Sequence, residues 1–211
     1  MRHRPGGLVP ERRLSLSLVL ALLAPAAGCL SANVSFGGGK TTREANGGGT
    51  SRLGASVAGS SRGDGAVRLG AGVGYRGLAT GAYDVDGGGL ELRGDHFVWP
   101  LKGDPARNVT LHRLGLTTRV LAGWARVASG VTDVAETRGL LDGFLGVSYD
   151  LVGRAKHDML TGRSGRPGAL GLSAGVAVTR VDLGDQPPLW IVGGQIEVTM
   201  MADVAALLKG L

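Results

Sequence analysis

Apolar and polar positions alternate with a period of two along most of the chain. From Ala169 to Val181 one parity reads Leu170, Leu172, Ala174, Val176 and Val178, and the other reads Gly171, Ser173, Gly175, Ala177 and Thr179. Alternation of this length describes a strand with one apolar face. Val67, Leu69, Ala71, Val73 and Tyr75 alternate with Arg68, Gly70, Gly72, Gly74 and Arg76. Trp190, Val192, Ile196, Val198 and Met200 alternate with Ile191, Gly193, Gln195, Glu197 and Thr199. Weaker copies predict strands over 141–151, 114–124, 90–95 and 53–57, seven in all, with an eighth over 32–38. The links between them are rich in turn residues: "GSSRGDG", "DVDGGG", "WPLKGDPARN", "ASGVTDVAET", "GRAKHDMLTGRSGRP" and "GDQPP". Ser31 to Thr50, with its two glycine triplets, reads as a short strand and a loop, or alternatively as a flexible tether. The one place where a helical turn competes is "MADVAALLKGL" at the end of the chain.

Amphipathic antiparallel strands with no helices to cover them close into a barrel or fold into a sandwich. The decision turns on the face opposite the aliphatic one. It holds mostly Gly, Ser, Ala and Thr with single charges spaced among them. On a wet outer surface such glycines would lose strand propensity and gain nothing. Turned inward, they make sense, because an eight-stranded barrel is only wide enough inside for side chains to fill it. Small residues leave room there for Arg52, Arg68, Arg76, Arg93, Arg113 and Arg119 to meet Glu91, Asp95, Asp142, Asp150 and Glu197. The aliphatic face would then meet hydrocarbon, which a tilted strand crosses in about 9–11 residues. Closure satisfies every backbone polar group, as lipid requires.

This pattern resembles the small outer-membrane β-barrels of Gram-negative bacteria. The resemblance implies an all-β fold: a single antiparallel up-and-down barrel of about eight strands, with a polar, glycine-rich interior and an apolar exterior, in the cell outer membrane. Aromatic residues, which form interfacial girdles in that family, are only 4 % of this chain.

Composition and charge refine the picture at the N-terminus. Met1 to Arg13 carries four arginines against Glu11, and Leu14 to Ala27 is apolar apart from Ser15 and Ser17. A basic head followed by a short apolar core is a secretory leader. The core has 14 residues, and a spanning helix needs about 20, so the segment is expected to be removed. Ala26-Ala27-Gly28-Cys29 resembles the lipobox of bacterial lipoproteins, which implies cleavage before Cys29 and acyl chains on its sulfur. Ala24-Pro25-Ala26 also suits ordinary leader cleavage. The expected organisation is a leader over 1–28, a lipidated N-terminus with a possible first strand and a glycine-rich loop or tether over 29–50, and a barrel over 51–211.

Cys29 is the only cysteine, so no intramolecular disulfide can form. Removing the leader lowers the net charge from +6 to +3, too slight for nucleic-acid binding. It leaves 36 glycines in 183 residues, well over double the usual share of about 7 %.

The candidate motifs carry little chemistry. "GGGKTT" at Gly37 to Thr42 has Val34 where a phosphate-binding loop needs glycine. Arg62-Gly63-Asp64 and Arg93-Gly94-Asp95 spell an adhesion tripeptide that chance supplies in such a composition. His96, His112 and His157 have no serine and carboxylate at a spacing that argues for a triad. No metal-ligand cluster is visible. The sequence therefore predicts a non-enzymatic barrel without cofactors. Its role would be structural, or exerted on other envelope components through Gly59–Gly65, Pro100–Asn108 and Gly153–Arg166. Membrane lipid and the acyl chains on Cys29 are the expected partners. The rival expectation is a soluble, lipid-anchored periplasmic or surface lipoprotein whose barrel or sandwich encloses a hydrophobic ligand. A third is a lipid-modifying outer-membrane enzyme.

Overall fold

A computed structural model of the chain describes residues 29–42, 49–61, 66–102, 111–129, 132–154 and 167–203. Eight strands follow one another: β1 (Cys29–Thr41), β2 (Gly49–Ser60), β3 (Val67–Ala79), β4 (Tyr83–Lys102), β5 (Leu111–Ser129), β6 (Thr132–Arg154), β7 (Pro167–Leu183) and β8 (Gln186–Asp203). Each pairs antiparallel with the next, and β1 pairs with β8 from Cys29↔Asp203 to Thr41↔Ile191. The result is a closed up-and-down barrel. Closure leaves no edge strand, so no row of ladder donors and acceptors stays open. Among the described residues no helix is long and apolar enough to cross a membrane, which says nothing of crossing by strands.

The side chains are sorted inside out. Leu170, Val176 and Ile196 are 49, 54 and 42 % exposed, whereas Arg68 and Glu197 are 3 and 0 % exposed. Leu53, Leu69, Leu90, Leu92, Val120 and Leu145 also stand on the open outer wall. Trp99 pairs with Leu114 near one end of β5, and Trp124 lies ten residues further along the same strand. At a rise of about 3.4 Å per residue and a tilt of about 40°, that separation is about 26 Å along the barrel axis. An apolar band of about 25 Å is what a transmembrane barrel needs. With Trp190 and Tyr75 near the Trp124 level, the few aromatics gather toward the two ends of the band.

Several links predicted from turn residues are wall. Asp84 to Gly89 belongs to β4, and most of the "ASGVTDVAET" link lies in β5 and β6. The Gly37–Gly39 triplet belongs to β1, which is a full wall strand and not a tether. The physical reason is close backbone approach. A Cβ on Gly89 would collide with the Ala122 carbonyl and the Gly123 backbone, and one on Gly123 would collide with Gly88 and Gly89. These glycines bring neighbouring strands together where the wall coils tightly, a use of glycine inside strands that looks like a turn signal in sequence. A genuine turn residue is Gly184, whose φ of 70° suits the two-residue turn between β7 and β8.

Candidate functional site in the barrel lumen

The inward parity delivers side chains to a narrow axis from every strand. Arg52 comes from β2, Arg68 and Arg76 from β3, Glu91, Arg93 and Asp95 from β4, Arg113 and Arg119 from β5, Asp142 and Asp150 from β6, and Glu197 from β8. All eleven are buried. The ion pairs among them form one connected network.

Nearest the end that carries Cys29 and Asp203, Asp150 Oδ2 accepts from Arg113 Nη2 at 2.6 Å and from Arg68 Nη1 at 3.2 Å. Arg68 Nε donates to Asp95 Oδ2 at 2.7 Å. The Phe97 ring lies against both guanidiniums, with its centroid 3.8 Å from the Arg113 carbon and 5.0 Å from that of Arg68. Arg93 joins this layer to the next, donating to Asp95 Oδ1 at 3.1 Å and to Glu197 Oε2 at 3.4 Å. Arg93 and Arg119 are direct cross-strand neighbours, a like-charge pair that is unfavourable alone. Glu197 reaches across the lumen and accepts from both. It also accepts from Gln195 Nε2 at 2.8 Å and Asn33 Nδ2 at 3.1 Å.

Asp142 is the hub of the layer toward the other end. Its Oδ2 accepts from Arg76 Nε at 2.8 Å and Arg119 Nη2 at 3.0 Å, and its Oδ1 accepts from Arg52. Thr179 Oγ1 donates to the same Oδ1 at 2.6 Å. Glu91 accepts from Arg76 Nη2 at 2.7 Å and from Ser56 Oγ at 2.7 Å. A carboxylate inside a barrel is tenable only with this density of charge-assisted donors. Glycine supplies the room: a Cβ on Gly54 would stand 2.9 Å from Arg76 Nη1, and one on Gly74 would stand 2.8 Å from Glu91 Oε2.

Apolar side chains share the interior with the charges and small residues. On the far side of Asp142 a cluster of Leu78, Val85, Leu121, Leu140, Val181, Leu189 and Ile191 closes the barrel. Beneath the opposite rim Cys29 packs with Val152, Ala169 and Met201. These residues stand on the charge-bearing parity, so alternation alone could not separate them from it. Asn33, Ser56, Thr117 and Thr179, which complete the network, carry no sequence signal beyond being polar and inward. The Cys29 side chain is turned inward at the first position of β1.

Chemically, the arrangement fills space. Every carboxylate in it is held by at least one guanidinium. His96 stands on the outer face, and His112 Nδ1 shares a 2.6 Å hydrogen bond with Tyr149 Oη. His157 lies outside the described residues, as do most of the three predicted interaction loops. Among the described residues no group of His, Cys, Asp or Glu is placed to hold a metal.

A closed eight-stranded barrel with an aliphatic outer wall and a plugged, charged lumen is the architecture of the small outer-membrane β-barrels. The likeness to particular proteins is distant. No protein-family model matches the chain, and no curated protein matches it. Among solved structures, Neisserial surface protein A is 15 % identical with a TM-score of 0.43, covering 84 % of this chain and 97 % of its own. The transport unit of the autotransporter AIDA-I from Escherichia coli is 9 % identical with a TM-score of 0.30, over 88 % of this chain and 94 % of its own. The β-domain of the Bordetella autotransporter BrkA is 10 % identical with a TM-score of 0.28, over 82 % and 98 %.

Proposed function

We propose that the chain is an integral, non-enzymatic barrel protein of the outer membrane, with a structural or surface-interaction role and no conducting pore. The observation that carries the reading is the sorting of side chains. Large aliphatic groups stand open on the outer wall from Leu53 to Met200, while eleven charged groups lie hidden in the lumen. In water the same distribution would expose a continuous apolar belt, which soluble monomers avoid. The rival soluble carrier needs an apolar cavity, whereas the charged network and the two apolar caps occupy this interior. The strands that flank the three predicted interaction loops all reach them at the end that carries Cys29, which supports a role exerted at that end.

Acylation of Cys29 is the second part of the proposal, supported by the Ala26-Ala27-Gly28-Cys29 sequence alone. It requires the first residue of β1 to turn its sulfur away from Val152 and Met201 toward the rim. One experiment tests both parts: membrane fractionation of wild type and Cys29→Ser, followed by a urea wash. An integral barrel stays in the pellet in both forms and migrates differently on gels with and without heating. Release of Cys29→Ser by urea would refute the integral barrel and leave a tethered soluble domain. Failure of labelled fatty acid to enter the wild-type chain would refute acylation.

A further inference from the structure

At the end opposite Cys29 the outer wall carries a groove of about 510 Å³ bounded by Trp124, Arg138, Gly139, Arg180, Asp182 and Pro188. Its floor is bare because Gly139, the register partner of Trp124, has no side chain. A Cβ there would stand 2.7 Å from Asp182 Oδ2. Trp124 is 71 % exposed, so most of its indole is open to the groove and its surroundings. Arg180 Nη2 donates to Asp182 Oδ1 at 2.9 Å, and both side chains keep close to half their surface accessible. The Arg138 guanidinium pairs with Glu136 and lies over the turn at Gly184. Toward the middle of the wall, beyond the groove, stand Leu141, the register partner of Arg180, and then Leu145 and Val178, all exposed.

These features place opposite charges, an aromatic face and neighbouring aliphatic side chains at one edge of the apolar band. We propose that the groove binds the headgroup of a zwitterionic phospholipid. Its phosphate lies against Arg180 and Arg138, its ammonium sits between Asp182 and the Trp124 indole, and its acyl chains run along Leu141 and Val178. The inference rests on the membrane reading above and names the lipid that the reading leaves open. Charge complementarity selects the class. A headgroup bearing only phosphate would leave the Asp182 carboxylate unmatched, and one bearing only an amine would meet two guanidiniums. A phosphate joined to an ammonium satisfies both, with the indole adding a cation–π contact.

Native mass spectrometry of the full chain, titrated with phosphatidylethanolamine, phosphatidylglycerol or lipid A in detergent, tests this. The wild type should retain phosphatidylethanolamine about tenfold better than phosphatidylglycerol, the size expected from one charge-assisted contact and one cation–π contact. Asp182→Asn should abolish that preference while still retaining lipid, and Arg180→Gln should weaken both phospholipids. The heat-dependent gel shift confirms that each variant is folded. Equal retention of the two phospholipids by wild type, stronger retention of lipid A, or unchanged retention by Arg180→Gln would overturn the proposal and leave the membrane reading standing. Release of the barrel from membranes by urea would overturn both.

Discussion

Asp142 shows how one inward residue can hold a small barrel together. It accepts from Arg52, Arg76 and Arg119, and from Thr179. Removing it takes a shared carboxylate from three buried guanidiniums, of which Arg76 keeps Glu91 and Arg119 keeps Glu197, and a broken buried pair costs about 3–5 kcal/mol. Asp142→Ala should therefore lower the unfolding free energy of the detergent-folded barrel, read from urea titration, by that amount, and an unchanged free energy would show that the network contributes little. Phe97, stacked against Arg113 and Arg68, carries a smaller but separable share. Phe97→Leu keeps the apolar volume and loses the cation–π contacts, for an expected loss of about 1–2 kcal/mol by the same measurement. The inward position of all eleven charges was legible from strand parity. Their partners were not: parity offers Arg93 the carboxylates of Glu91, Asp95 and Glu197 alike, and the structure pairs it with the last two.

On the scale of strands, the two faces respond oppositely to the same substitution. Val120 stands on the outer face of β5, midway between the Trp99 and Trp124 levels. Val120→Arg puts a charge at the middle of the apolar band and should cost about 2–4 kcal/mol in lipid. In a soluble barrel the change would be close to neutral, so stability in vesicles separates the two readings. Gly89→Val tests the wall itself. Its side chain would strike the carbonyl of Ala122, where neither backbone can withdraw without breaking the β4–β5 ladder. The heat-dependent gel shift should be lost in that variant, while Gly194→Val, at a position with nothing within 4 Å of the new Cβ, should keep it. Sequence patterning found each strand but stopped short at its ends. Glycine triplets and Asp-rich segments read as turns until their neighbours show that the missing side chains admit an adjoining backbone.

For the whole molecule, the lumen decides what passes. Eight strands leave an interior that side chains fill, and here a charged middle lies between two apolar caps. Planar-bilayer recordings of the wild type should therefore show no single-channel steps. Regular steps of stable amplitude would mean that the network opens as a path.

The sequence by itself determined the period and the face on which each charge lies, and gave a strand count of about eight, because a two-residue repeat assigns every side chain to one side of a wall. Small residues and charges already mark the inward parity, and the pairing of β1 with β8 makes that parity an enclosed interior. The joining of six arginines and five carboxylates into one network, the apolar clusters at both ends of the lumen, and the groove beside Trp124 all belong to the tertiary structure. Each brings together residues from strands far apart in sequence, and a local pattern carries no record of which distant strand will stand opposite.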